Sequence, residues 1–163
     1  MIVMGIDPST ITTGYGIVTY EGNKILPVDF GVIRTNTAQA LPSRLLTIFE
    51  RMSLLIDRFH PDEIAVEEIF QARNAQMALK LGQARGVVIL ASALKDISTA
   101  EYSPREVKLA VVGYGNASKE QVRRMIRDLL SIHKERMEYD AADALAVAVC
   151  HCHRIGMRQR MSQ

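Results

Sequence analysis

Ile2-Val-Met-Gly-Ile-Asp7, Gly14-Tyr-Gly-Ile-Val-Thr-Tyr20 and Ile25-Leu-Pro-Val-Asp-Phe-Gly-Val-Ile-Arg34 are three apolar, largely β-branched or aromatic runs that follow one another directly. Each reads as a strand. Pro8-Ser9 closes the first, and Gly22-Asn23 turns the second into the third. Turns this short imply an antiparallel meander, because a parallel pair needs a long crossover.

The chain then changes period. Pro42 and Ser43 open a helix whose apolar residues, Leu45, Ile48, Phe49, Met52, Leu55, Ile56 and Phe59, recur at the spacing of one buried face. Pro61 stops it, and residues 63–70 read as a fourth strand. A long helix is expected from about Ala75 to Lys95, a fifth strand over 98–102 and a helix near Pro104. Ser118 with Gln121 forms a capping box that opens another helix, with Val122, Met125, Ile126, Leu129 and Leu130 as its stripe. The last helix is expected from Tyr139 to His153. A helix between the meander and the fourth strand lets that strand return parallel to the first. The expectation is an α/β domain, a mixed five-stranded sheet flanked by helices. It occupies residues 1–156, with 157–163 as a short flexible tail.

Composition excludes several classes. No apolar run reaches the roughly 18 residues that span a bilayer, and Asp7 follows the start too soon for a signal peptide. A cytoplasmic location is expected, with no membrane partner. Cys150 and Cys152 alternate with His151 and His153. Successive helical positions diverge by about 100°, so these four cannot converge on one zinc ion and read as a packed helix. The formal net charge of +2 neither demands nor excludes nucleic acid; placement of the basic residues decides more than their sum.

The chemistry lies in the acids. Asp7 stands at the C-terminal end of the first strand, the edge where α/β sheets bind ligands. Glu67 and Glu68 come late in the fourth strand, and Asp140 and Asp143 share one face of the last helix. Taken singly, each has a plain structural reading: a helix dipole partner, a solvated turn or an exposed edge. Together they sit inside apolar stretches, where a carboxylate without a partner is costly and a cation is the natural partner. Oxygen-only ligands favour magnesium or manganese, and two such ions can clamp a scissile phosphate. Strand alternation sends Glu67 and Glu68 to opposite faces, so one of them joins the site; periodicity does not say which.

The chain resembles the RuvC family of bacterial Holliday-junction endonucleases. The resemblance runs through Met4-Gly-Ile-Asp7-Pro, Thr13-Gly-Tyr-Gly16, Glu67, Phe70, Ala78-Leu-Lys-Leu-Gly-Gln-Ala-Arg-Gly86, Val111-Val-Gly113, Lys119, Asp140-Ala-Ala-Asp-Ala-Leu-Ala146 and His151-Cys-His153. The Ala78–Gly86 run is the most specific part. One departure is Ser9-Thr10, where the family often has a glycine after Asp-Pro. The resemblance implies an RNase H-like fold, paired symmetric nicks across a four-way DNA junction, and work alongside the RuvA and RuvB branch-migration proteins. It implies Mg2+, with Mn2+ able to substitute and two ions per site. It also implies Asp7, Glu67, Asp140 and Asp143 as the catalytic and metal-binding set, which chooses Glu67 over Glu68.

Basic residues recur after Glu67: Arg73, Lys80, Arg85, Arg105, Lys108, Lys119, Arg123, Arg124 and Arg127. About half read as solvated helix faces. Arg73, Lys80, Arg85, Lys108 and Lys119 are taken as DNA-contacting, and Lys108 and Lys119 match lysines near the family's active site, where they would offset charge on the attacked phosphate. Phe70 is either core or, by the resemblance, an aromatic that stacks on a junction base. Gly82 and Gly86, four apart on the long helix, either pack on the chain's own sheet or admit a second helix closely; the resemblance points to a symmetric homodimer. A rival reading sets Asp7 with Thr12, Thr13 and Gly14 as the phosphate turn of actin-like and sugar-kinase ATPases, which use two such domains where this length suits one.

Overall fold

The structure is a computed structural model that describes residues 1–68, 74–133 and 137–161. The first three expected strands form the meander: β1 (Ile2–Asp7), β2 (Thr12–Glu21) and β3 (Lys24–Arg34). Gly22 and Asn23 both take positive φ, 51° and 69°, which is the two-residue turn whose twist matches an antiparallel hairpin. Helix α1 (Leu41–Phe59) then crosses to β4 (Glu63–Glu67). It ends where His60 turns left-handed and its N–H bonds the Ile56 carbonyl at 2.9 Å. Helix α2 (Ala75–Ala93) leads to β5 (Ser98–Tyr102), and three helices follow: α3 (Pro104–Val112), α4 (Lys119–Leu129) and α5 (Tyr139–Met161).

The sheet order is β3-β2-β1-β4-β5, with β1–β2 and β2–β3 antiparallel and β1–β4 and β4–β5 parallel. This is the expected mixed sheet. Alternation divides it cleanly. Met4, Ile6, Ile17, Ile64 and Val66 pack under α1 and α2, against Ile48, Met52, Ile56, Ala84 and Val88. Val3, Val18, Ala65 and Tyr102 face the other way, into a core with α3, α4 and α5. Because Val3 and Ala65 point toward α5, so do Asp7 and Glu67, which follow them by even steps.

Three expectations are corrected. The last helix runs past His153 to Met161, so residues 157–161 of the expected tail are helical; Arg158 and Arg160 suit a helix C-terminus, and Arg160 Nε donates to the Gly156 carbonyl at 3.1 Å. The fourth strand closes at Glu67 instead of running to residue 70, and residues 69–70 lie outside the described ones. Leu129, placed in the apolar stripe of α4, is 47% exposed, because Val122, Ile126 and Leu130 already fill the face toward α5. The expected capping box, Ser118 with Gln121, is formed, and a second that the sequence reading did not single out, Ser103 with Glu106, opens α3. Cys150, His151 and Cys152 are buried in α5, as a packed helix requires.

Candidate active site

β1 ends at Asp7, beside Gly14 of β2 on one side and the β4 strand on the other. The first turns of α5 cross the same end of the sheet. They do so at close range because β1 and β2 present glycines there: a side chain on Gly14 would meet the Asp140 backbone, one on Gly5 the Ala144 carbonyl, and one on Gly16 the Leu145 backbone at 2.7 Å. The loop after Asp7 is held by Thr13, fully buried, whose hydroxyl donates to the Ser9 carbonyl at 2.7 Å and accepts the Ser9 N–H at 3.1 Å.

The result is an acidic cluster. One carboxylate oxygen from each of Asp7, Asp140 and Asp143 lies within 4.8 Å of the others. Glu67 adjoins them, lining one cleft with Asp7 and a smaller hollow with Asp143, within reach of a hydrogen bond to Asp7 when one of the two carries a proton. Glu68 is exposed, and its N–H is spent on the Tyr102 carbonyl at 2.8 Å. Burial, then repulsion from Glu67, Asp143 and Asp140, pushes the Asp7 carboxyl well above its usual range. Burial and the Asp143 charge carry Glu67 to about 7, although its bond to Asp7 and the Lys119 and Lys108 charges pull it down. Burial also raises Asp143, against the pull of Lys119. Three carboxyls held up by burial and mutual repulsion, gathered with Asp140 so that oxygen ligands converge, fit a hard divalent cation.

Lys119, at the first position of α4, donates from Nζ to Asp143 at 3.1 Å. Lys108 lines both hollows of the site. The larger is an open cleft of about 670 Å³ with Asp7, Glu67, Glu68, Arg105 and Asn116. The smaller, about 220 Å³, holds Glu67, Lys108, Lys119 and Asp143. Sequence reasoning missed Asn116, whose Gly-Asn loop between two helices reads only as a turn; it singled out Thr13 only within the family motif and the rival phosphate turn, and not as the clasp of the loop after Asp7.

The other expected DNA contacts fall differently. Lys80 is exposed on α2. Arg85 forms an ion pair with Glu101 of β5 and is only partly exposed, a placement invisible in sequence because the partner lies on another element. Phe70 and Arg73 lie outside the described residues.

The raised carboxyls set a pH dependence. A carboxyl whose folded pKa is raised stabilises the fold below its unfolded pKa, and that contribution is lost as pH rises through the folded value. For Glu67 the window runs from 4.5 to about 7. His151, lowered by its burial, works in the opposite direction, so the site is isolated by a difference. Added Mg2+ is expected to raise the melting temperature, and by more at about pH 8 than at about pH 5. Equal shifts at both ends would show that these acids do not take the cation.

Residues 3–151 match the family described as "Crossover junction endodeoxyribonuclease RuvC". A protein of that name from Alkaliphilus metalliredigens is 48% identical over 94% of this chain and 93% of its own length. The structure of Thermus thermophilus RuvC in complex with Holliday junction substrate is similar with a TM-score of 0.90 at 34% identity, covering 97% of this chain and 96% of that one. The yeast mitochondrial Holliday junction resolvase Ydc2, at 15% identity, shares the fold with a TM-score of 0.72 over 97% of this chain and 80% of its own.

Proposed function

Because the chain belongs to the RuvC family of crossover junction endodeoxyribonucleases, we propose that it resolves four-way DNA junctions by paired symmetric nicks, with Asp7, Glu67, Asp140 and Asp143 holding Mg2+ against the scissile phosphodiester. It is a nuclease of DNA recombination and repair, a hydrolase of the phosphodiester bond. The observation that carries the metal reading is the meeting of Asp7, Asp140 and Asp143 within 4.8 Å, with Glu67 lining the same cleft as Asp7. When bound, Mg2+, or Mn2+ in its place, supplies a Lewis acid at the phosphate and lowers the pKa of water, and four carboxylates offer enough oxygens for two ions.

The remaining groups prepare the site. Thr13 clasps the loop after Asp7 and so fixes the carboxylate's direction. Burial raises the carboxyls of both Glu67 and Asp7, so the pair would favour a bound cation over two bare charges. Lys119 and Lys108 bring positive charge to the smaller hollow, where it opposes charge developing on the phosphate. Lys119→Ala is expected to slow nicking by about 10²-fold, the loss typical of one stabilising donor, while junction affinity falls by about threefold or less. Equal losses in rate and affinity would make Lys119 a simple phosphate clamp.

The same reading includes a two-fold homodimer. On α2, Leu79, Gly82, Gly86 and Leu90 form one stripe, opposite the buried Ala84 and Val88. Leu79 is 69% and Leu90 53% exposed, and a side chain on either glycine would meet nothing within 4 Å among the described residues. The glycines therefore serve no packing of the chain's own sheet, and a second copy of α2 can approach closely. A two-fold pair would offer two acidic clusters to two like strands of the junction. Gly86→Glu, which brings like charges together across the axis, is expected to shift sedimentation from dimer to monomer; an unchanged dimer would move the interface elsewhere. In this reading the nuclease domain runs past residue 156 to the end of α5 at Met161, and it acts in the cytoplasm beside the RuvA and RuvB proteins; among the described residues no helix is long and apolar enough to cross a membrane.

The decisive experiment incubates the protein with a synthetic four-way junction and with linear duplex, each with and without Mg2+. The expected result is symmetric cutting of the junction alone, dependent on Mg2+. Equal cutting of duplex, or cutting in the presence of a chelator, would overturn the reading.

A further inference from the structure

β4 turns a second carboxylate toward α5. Glu63 begins the strand and, by alternation, shares a face with Ala65 and Glu67. Its Oε2 lies 2.8 Å from His151 Nε2 of α5. On the other side of the ring, His151 Nδ1 lies 2.7 Å from the Tyr102 hydroxyl. The imidazole is only 3% exposed. A carboxylate can only accept, so Nε2 donates to Glu63; Nδ1 of the neutral ring is then the acceptor and the Tyr102 hydroxyl the donor. Every hydrogen-bonding group of the ring is thereby used.

This imidazole ties α5 and β4, two of the three elements that carry the acids, to each other and to β5. Glu63 stands four residues before Glu67 on the same strand. Tyr102 is directly opposite Glu67 in the β4–β5 ladder, and its carbonyl accepts the Glu68 N–H. His151 lies eight residues after Asp143 on one continuous helix, about 12 Å along its axis. Elsewhere α5 meets the sheet through Ala142, Leu145, Ala146 and Ala148. Such apolar contacts are non-directional and resist separation of the layers more than a small slide along the helix axis. The two hydrogen bonds of His151 go to two different strands and oppose that slide.

We propose that His151 is a positioning residue, which sets the height of α5 on the sheet and so the distance of Asp140 and Asp143 from Asp7 and Glu67. A cation site tolerates misplacement of only about 0.5 Å, and groups that orient ligands without touching the ion typically change metal affinity by about 10- to 100-fold. The proposal rests on the reading of the four acids as metal ligands.

The test measures Mn2+ binding by calorimetry on DNA-free protein, together with junction affinity in chelator and thermal melting. His151→Leu removes both hydrogen bonds, and Tyr102→Phe removes one with no loss of ring packing. Mn2+ affinity is expected to fall by about 10- to 100-fold in His151→Leu and by less in Tyr102→Phe, with junction affinity in chelator unchanged. His151→Gln, which keeps a donor toward Glu63, should recover part of the loss. If His151→Leu does not fold, Tyr102→Phe decides the matter. Parent Mn2+ affinity in the folded variants, even with a lowered melting temperature, overturns the proposal and leaves the triad as a structural tie alone. Asp7→Asn, measured in parallel, separates the two levels: if it too binds Mn2+ like the parent, the reading of the acids as ligands has failed, and not merely their positioning.

Discussion

Asp7→Asn is expected to abolish nicking of a four-way junction, by about 10³-fold or more, while junction affinity stays within about threefold and the metal-free protein becomes more stable. The first part follows from the place of Asp7. It lies within 4.8 Å of Asp140 and Asp143 of α5 and lines the same cleft as Glu67 of β4. Several kcal/mol of transition-state stabilisation attach to a cation at a phosphate, and each 1.36 kcal/mol is a factor of ten in rate. The second part follows because binding to a junction comes mainly from phosphate contacts by basic groups, which the substitution does not touch. The third follows from electrostatics. Asp7 ionises against its burial and against three neighbouring acids. An amide of the same shape removes that repulsion and can still hydrogen-bond Glu67, so a gain of about 1–2 kcal/mol is expected, the scale of relief at strained functional sites. Rate, affinity in chelator and chemical denaturation at about pH 8 check the three parts. Retained cleavage would remove Asp7 from the ligand set; lost stability would mean that its charge is compensated within the protein.

The meander, α1 and the Ser118–Gln121 capping box were legible because each rests on a local pattern: period two, period 3.6, or a cap with its partner three residues on. The choice between Glu67 and Glu68 was not, since alternation separates the two without saying which face is which. The structure supplies the missing fact, that Ala65 and Val3 point toward α5. What stayed hidden has one common feature, a partner far away in sequence. Arg85 reads as a free basic residue until β5 brings Glu101 to it. His151 reads as part of a packed helix, and it is packed, but its hydrogen bonds reach 49 and 88 residues back. The length of α5 was underestimated because Gly156 and the basic residues beyond it look like a helix end. In the structure Gly156 lies against the Tyr20 hydroxyl instead, where a side chain would clash at 2.5 Å.

The same reasoning gives the second large effect. Gly14→Ala is expected to cost cleavage about 10²-fold or more and to lower stability by about 1–3 kcal/mol, the usual range for overpacking. Gly14 is the register partner of Asp7, and its absent side chain is where the Asp140 backbone sits. The obstacle is backbone, so it cannot rotate away as a flexible side chain could. A methyl group there must lift the first turn of α5 from β2, and that turn carries Asp140 with Asp143 one turn further on. Gly5 and Gly16 keep the next turns equally close, against Ala144 and Leu145, so the helix would tilt about its later contacts rather than move as a whole. The tilt widens the gap between the acids of α5 and those of β1 and β4. Burial of the individual side chains hardly changes, but the cation would meet ligands spaced too far apart. Weaker Mn2+ binding to DNA-free Gly14→Ala protein, alongside unchanged junction affinity in chelator, is the expected signature. A variant that melts several degrees lower yet binds Mn2+ like the parent would show that the close approach of helix to sheet serves the core and not the site.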